Sequence, residues 1–170
     1  NAEGITALVK LLARKTRTQV TPHWPQKVLL AQPASLSAEH PVRLSQGTPL
    51  GAVGYDANSQ LHLSLFAEDR DEARGWLPGG QLYNDLLVLL RVYLGWRCTV
   101  KLQLSLPLHS LPQPLLGRAQ VLLGMTAVLG LGSDARQACE STTITINLGR
   151  YQGLQKNRQD RETQHVAYSF

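Results

Sequence analysis

Cysteine is nearly missing from this chain of 170 residues: only Cys98 and Cys139 are present. Two cysteines build no framework of bridges, and no C-x-x-C pair is there to grip a metal. A reduced, cytosolic chain is the simplest reading. Aromatic residues are scarce at 6%, and none interleaves with Arg or Lys as a base-stacking platform requires. The net charge of +5 is therefore a weak pointer to nucleic acid, and most of it lies in Lys10 to Arg17 and after Arg150. Long hydrophobic runs are absent as well. Leu86 to Leu90 and Val121 to Leu131 fall far short of the ~20 residues that span a bilayer, so no direct membrane insertion is expected. Charge itself is sparse, 17% against 43% hydrophobic, which implies a globular chain whose surface is partly covered by something else. The sequence opens at Asn1 without a methionine, at the edge of a helix, and reads as a fragment of a longer protein.

What is present divides into periodic segments. Ile5, Leu8, Val9 and Leu12 follow helical spacing, so a helix is expected up to about Lys15. Residues 22 to 41 contain Pro22, Pro25, Pro33 and Pro41 with little alternation, and read as a long loop. Leu61, Leu63 and Leu65 alternate with His62 and Ser64 in a half-buried strand that leaves His62 exposed on the polar side. Asp69 to Trp76 is a short helix stopped by "LPGG". Gln81 to Leu94 is an apolar helix ended by Gly95, with burial expected on more than one side. Cys98, Val100, Leu102, Leu104 and Leu106 then share one face of a strand, and Ile144, Ile146 and Leu148 share one face of the last.

The halves echo each other. "LVKLLARKTRTQV" parallels "LLRVYLGWRCTV", and "LSQGTPLGAVG" parallels "LGRAQVLLGMTAVLG", so that Leu11 maps to Leu89 and Gly51 to Gly124. The expected fold class is α+β: two similar helix-strand-loop-strand modules related by internal duplication, with mostly antiparallel strands and long Pro-rich loops. The expected divisions are 1–80, 81–149 and a basic tail at 150–170.

Candidate chemistry is thin. "GLGSDA" at 130 to 135 fits a relaxed dinucleotide fingerprint, but only "RQACES" follows before the next strand. That is too short for a crossover helix, so the stretch reads as a turn. Histidines 23, 40, 62, 109 and 165 do not pair at ligand spacing, no G-x-S-x-G elbow is present, and "EDRDE" at 68 to 72 looks like a solvated helix face. No catalytic, cofactor or metal residues are assigned. Trp24, in the first Pro-rich loop, is either an anchor for its own loop or an interface hot spot. Trp24 and Pro25 in that loop, with His109, Leu111 and Pro112 in the second, are the candidate partner-contact residues. Two rivals stay open: a nucleotide-binding enzyme using loop 130–135, and a nucleic-acid adaptor using the basic tail.

At "WLPGGQLYNDLLVLLRVYLGWRCTVKLQLSL", followed by "LPQPLLGRAQVLLGMTAVLG", the sequence resembles the TssG family (ImpH/VasB) of the bacterial type VI secretion baseplate. The earlier "HW…VRLSQGTPLGAVGYD" is similar to the family's preceding copy, and the likeness covers roughly residues 4 to 148. The resemblance implies a non-enzymatic wedge subunit without cofactors. It also implies partners: two copies of TssF, TssK trimers, TssE, and the VgrG spike nearby. Sheath assembly would be seeded around that spike, at the cytoplasmic face of the inner membrane.

Overall fold

The computed structural model describes residues 1–34, 51–95, 97–111, 122, 124–127, 142–152 and 166–167. Helix α1 (Ala2–Leu12) starts because the Asn1 side chain accepts from the Glu3 amide, and it buries Ile5 and Val9. Strand β1 (Thr16–Pro22) follows. Next come β2 (Gln26–Ala34), β3 (Gly51–Asp56), β4 (Gln60–Ala67), α2 (Arg70–Gly75) and α3 (Gln81–Leu94). Strand β5 (Thr99–Pro107), a 3-10 turn at Leu108–Ser110, β6 (Thr143–Tyr151) and β7 (Val166–Ala167) complete the described chain.

Five strands form one sheet in the order β1-β4-β5-β6-β7. Its pairs are antiparallel except β4 with β5, which run parallel and join the two halves of the chain into a single sheet. The period of two read from the sequence decides its inner face. Leu63, Leu65, Val100, Leu102, Leu104, Ile146 and Leu148 are buried under α1 and α3, which contribute Ile5, Val9, Tyr83, Leu86 and Leu90. The fold is α+β with mostly antiparallel strands. Tyr83 ties α3 to the sheet by donating its hydroxyl to the Leu148 carbonyl at 3.0 Å. Gly95, at φ 60, ends α3 in the left-handed region that a side chain disfavours. Tyr151 fixes that end from below, donating to the Gly95 carbonyl at 2.9 Å.

Several expectations need correction. Residues 26 to 34 are not a loop but strand β2, which pairs with β3 as a separate two-stranded ribbon. Helix α3 is buried on one side only, since Val88 and Val92 stay exposed. The acidic run is not merely solvated. Asp69 caps α2 and receives Lys15 at 2.9 Å, Glu68 pairs with Arg17, and Glu72 accepts from the Lys15 amide and the Thr16 hydroxyl. These carboxylates fasten α2 to the junction of α1 and β1. Trp76, fully buried, completes the link by donating its indole N–H to Thr16 at 2.9 Å. The fingerprint loop 130–135, Trp96, Pro112 and the tail at 153–165 lie outside the described residues, as do most of the second Pro-rich stretch and residues 35–50.

Candidate partner interface

The ribbon is the upper part of one long hairpin. Strand β1 passes into β2 through His23, Trp24 and Pro25, and β3 passes into β4 through Ala57, Asn58 and Ser59. Pairing stops at Pro22 with Leu61 and resumes at Gln26 with Asp56. Local chemistry explains the break. His23 takes φ 56, a left-handed conformation that His adopts more readily than most side chains. Pro25 then restricts both itself and Trp24 to extended backbone and offers no amide for pairing. Opposite, the Asp56 carboxylate accepts from the Asn58 amide, the Ser59 hydroxyl and the Gln60 side chain, closing an Asx turn. Those bonds hold the Asp56 carboxyl below the ordinary carboxylate range, the Gln60 bond contributing most.

Above the break, pairing of Leu29 with Val53 and of Lys27 with Tyr55 places all four on one face. That face is uncovered: Leu29 is 85%, Tyr55 69% and Val53 44% exposed. A lone two-stranded ribbon is marginal in water, because its strands have too little packed surface. An exposed apolar face of this kind is the sort of surface that ends up against another molecule. Leu11 on α1 and Val88 and Val92 on α3 are further exposed apolar side chains on the helical side of the molecule.

Below the break, Trp24 turns back onto the outer face of the main sheet. Its ring lies against His62 with centroids 4.4 Å apart, and its amide donates to the Gln60 carbonyl at 3.2 Å. The Lys101 ammonium stands 5.8 Å from the Trp24 ring. An aromatic pair adds about 0.5–1.5 kcal/mol beyond area burial, and a cation over Trp about 0.5–1 kcal/mol where exposed. His62, expected to be exposed, is instead buried at 8% exposure, because the Trp24 ring, from the linker between β1 and β2, lies against it. Its Nε2 has no hydrogen-bond partner among the described residues. Burial pushes the imidazole below its ordinary 6.5; Lys101 adds to the effect, and a hydrogen bond with Gln103 opposes it.

The candidate residues of the first and second halves are not brought together. Trp24 and Pro25 sit where β4 and β5 begin, whereas His109 and Leu111 follow the end of β5. A strand of this length separates the two groups by about 25 Å, at ~3.3 Å per residue. His109 is exposed on the 3-10 turn; Leu111 is buried in the core. Sequence reasoning missed Leu29, Val53 and Tyr55. The signal was the run Val28-Leu29-Leu30 beside "GAVGYD", apolar on both faces and so without a period of two. Among the described residues no group of three or more His, Cys, Asp or Glu converges as a metal site, and no helix is long and apolar enough to cross a membrane.

Comparison with known proteins gives the arrangement its context. The family described as "Type VI secretion, TssG" matches residues 1–130. A chain of the type VI secretion TssK-TssF-TssG baseplate subcomplex, solved by cryo-electron microscopy, is 40% identical with a TM-score of 0.78. That match covers 99% of this chain and 70% of the other. A chain of the type VI secretion baseplate complex is 36% identical with a TM-score of 0.63, over 95% of this chain and 47% of the other. This sequence thus spans about half the length of the second relative. No match was found among curated proteins.

Proposed function

The chain belongs to the type VI secretion TssG family, and from that premise we propose that it is a non-catalytic subunit of the baseplate wedge that joins TssF to TssK. The observation that carries the reading is the uncovered apolar face of the ribbon, Leu29, Val53 and Tyr55, on a chain similar over 99% of its length to one in a TssK-TssF-TssG subcomplex. An assembly subunit needs surfaces that gain by being covered, and this ribbon is one. A second support is the order of elements. A helix followed by an antiparallel strand pair occurs twice, as α1 with β1 and β4, and as α3 with β5 and β6. We read this as an internal duplication with modules at 1–80 and 81–149 ahead of the tail at 150–170. Duplicated modules would present related surfaces to two copies of TssF. We assign partner contacts to the ribbon, carried on its base at Trp24 and Pro25, and to the second stretch through His109 and Pro112. Leu111 would act from beneath, by fixing that turn in the core.

In this account the wedge also receives TssE, lies near the VgrG spike, and helps seed the sheath at the cytoplasmic face of the inner membrane. The test is co-expression of the chain with TssF and TssK, followed by size-exclusion chromatography. Co-elution of all three is expected. Separate elution of this chain under conditions where TssF and TssK are folded contradicts the reading.

A further inference from the structure

The long hairpin has a break, and something must fix the direction in which its outer part points. On the β3–β4 side the base is held to the sheet: the Thr99 amide donates to the Ser59 carbonyl at 2.8 Å, and the Asx turn of Asp56 closes the bend. On the β1–β2 side the Trp24 amide donates to the Gln60 carbonyl at 3.2 Å. Among the described residues the ribbon strands pair with each other and with no strand of the main sheet. On that side a backbone hydrogen bond alone constrains rotation about the break weakly, whereas a ring packed on its neighbour resists it.

We propose that Trp24, seated on His62 and flanked by Lys101, is a latch that sets the direction of the β2–β3 ribbon relative to the main sheet. Trp24 is then a positioning residue, acting on partners through Leu29, Val53 and Tyr55. The geometry is specific to that task. His23 in the left-handed region turns the chain so that the next side chain faces the sheet, and Pro25 stiffens the exit. His62, already buried on β4, gives the ring a surface at a centroid distance of 4.4 Å. Lys101, the register neighbour of His62 on the parallel strand β5, adds a cation near the same ring. The outer faces of two strands from different halves of the chain thus hold the base of the ribbon. A fixed direction lowers the ordering cost of docking, which is the advantage of preorganisation. The significance of the latch rests on the ribbon being the partner-facing surface; the latch itself does not.

The test therefore uses the chain alone first. Spin labels at Lys27→Cys on the ribbon and Arg14→Cys beside α1, in a background with Cys98→Ser and Cys139→Ser, report the ribbon's direction as a distance distribution. The parent and Trp24→Phe, which keeps a stacking ring, are expected to give one narrow distribution. Trp24→Ala and His62→Ala are expected to broaden it while circular dichroism keeps the strand and helix signal. A distribution unchanged in Trp24→Ala overturns the latch. If Trp24→Ala does not fold, Lys101→Met and His62→Ala decide, and narrow distributions in both overturn it. Capture of TssF and TssK is measured separately on the same variants. A narrow distribution with lost capture makes Trp24 a direct contact and overturns the latch. Loss of capture by the parent overturns the partner reading and leaves the distance result to decide the latch.

Discussion

Single residues hold the parts of this molecule in register, and their chemistry sets four expectations. Trp76 is fully buried with its indole N–H on Thr16, whose hydroxyl in turn donates to Glu72. Trp76→Phe keeps most of the apolar bulk and removes the donor. A loss of about 1–3 kcal/mol is expected in urea unfolding, and an unchanged midpoint would show the link to be dispensable. His23 supports a left-handed backbone. His23→Val should lower the melting temperature and His23→Gly should not, since a β-branched residue tolerates that region worst. Thermal unfolding of the pair checks it.

His62 gives a pH dependence whose sign follows from its burial. Its folded-state value lies below the ordinary 6.5, so the unfolded chain takes up the proton first. Stability is complete above about pH 6.5 and falls as pH drops from there towards the folded value. His62→Leu should remove that fall, as measured by denaturant unfolding across the window. A slope that persists would assign it to another group. Asp69 acts in a separate window. Its bond from Lys15 and the Glu72 amide hold it below the ordinary 3.8, so its contribution is present above that value and is lost as pH falls through the folded one.

At the scale of elements, legibility followed packing. The bounds of α3, the alternation of β5 and β6, and the Asp69 start of α2 were legible because each element buries one side against a single core. The ribbon was not legible. Among the described residues no core cluster includes its strands, so the sequence shows no period of two there, and prolines at 22, 25 and 33 imitate a loop. His62 was misread for a related reason. Alternation reports which face a residue occupies, but whether a ring from residue 24 covers that face is a tertiary fact. The turn from α2 to α3 was read as a stop, which it is, and its tightness is further visible only in space. A Cβ on Gly80 would come 2.3 Å from the Gly75 carbonyl oxygen, a backbone atom that cannot swing away. Gly80→Ala is expected to cost about 1–3 kcal/mol by overpacking. A melting temperature equal to the parent's would mean that the turn relaxes freely.

For the whole molecule, the family was legible from its apolar helix, alternating strand and glycine-spaced segment, while the exposed apolar face of the ribbon was not. The sheet supplies rigidity, with a buried inner face and the parallel β4–β5 pair joining the halves. The ribbon supplies reach, with side chains that no part of the described chain covers. This division is the central claim: scaffold in the sheet and helices, partner contact on the ribbon face. The most direct measurement is capture of TssF and TssK by a Leu29→Asp, Tyr55→Asp variant, paired with its thermal unfolding. Both positions are so exposed that the fold should melt where the parent does, while capture weakens by about 2 kcal/mol or more, as for an apolar hot spot. Parent-like capture by a folded double variant would contradict the claim.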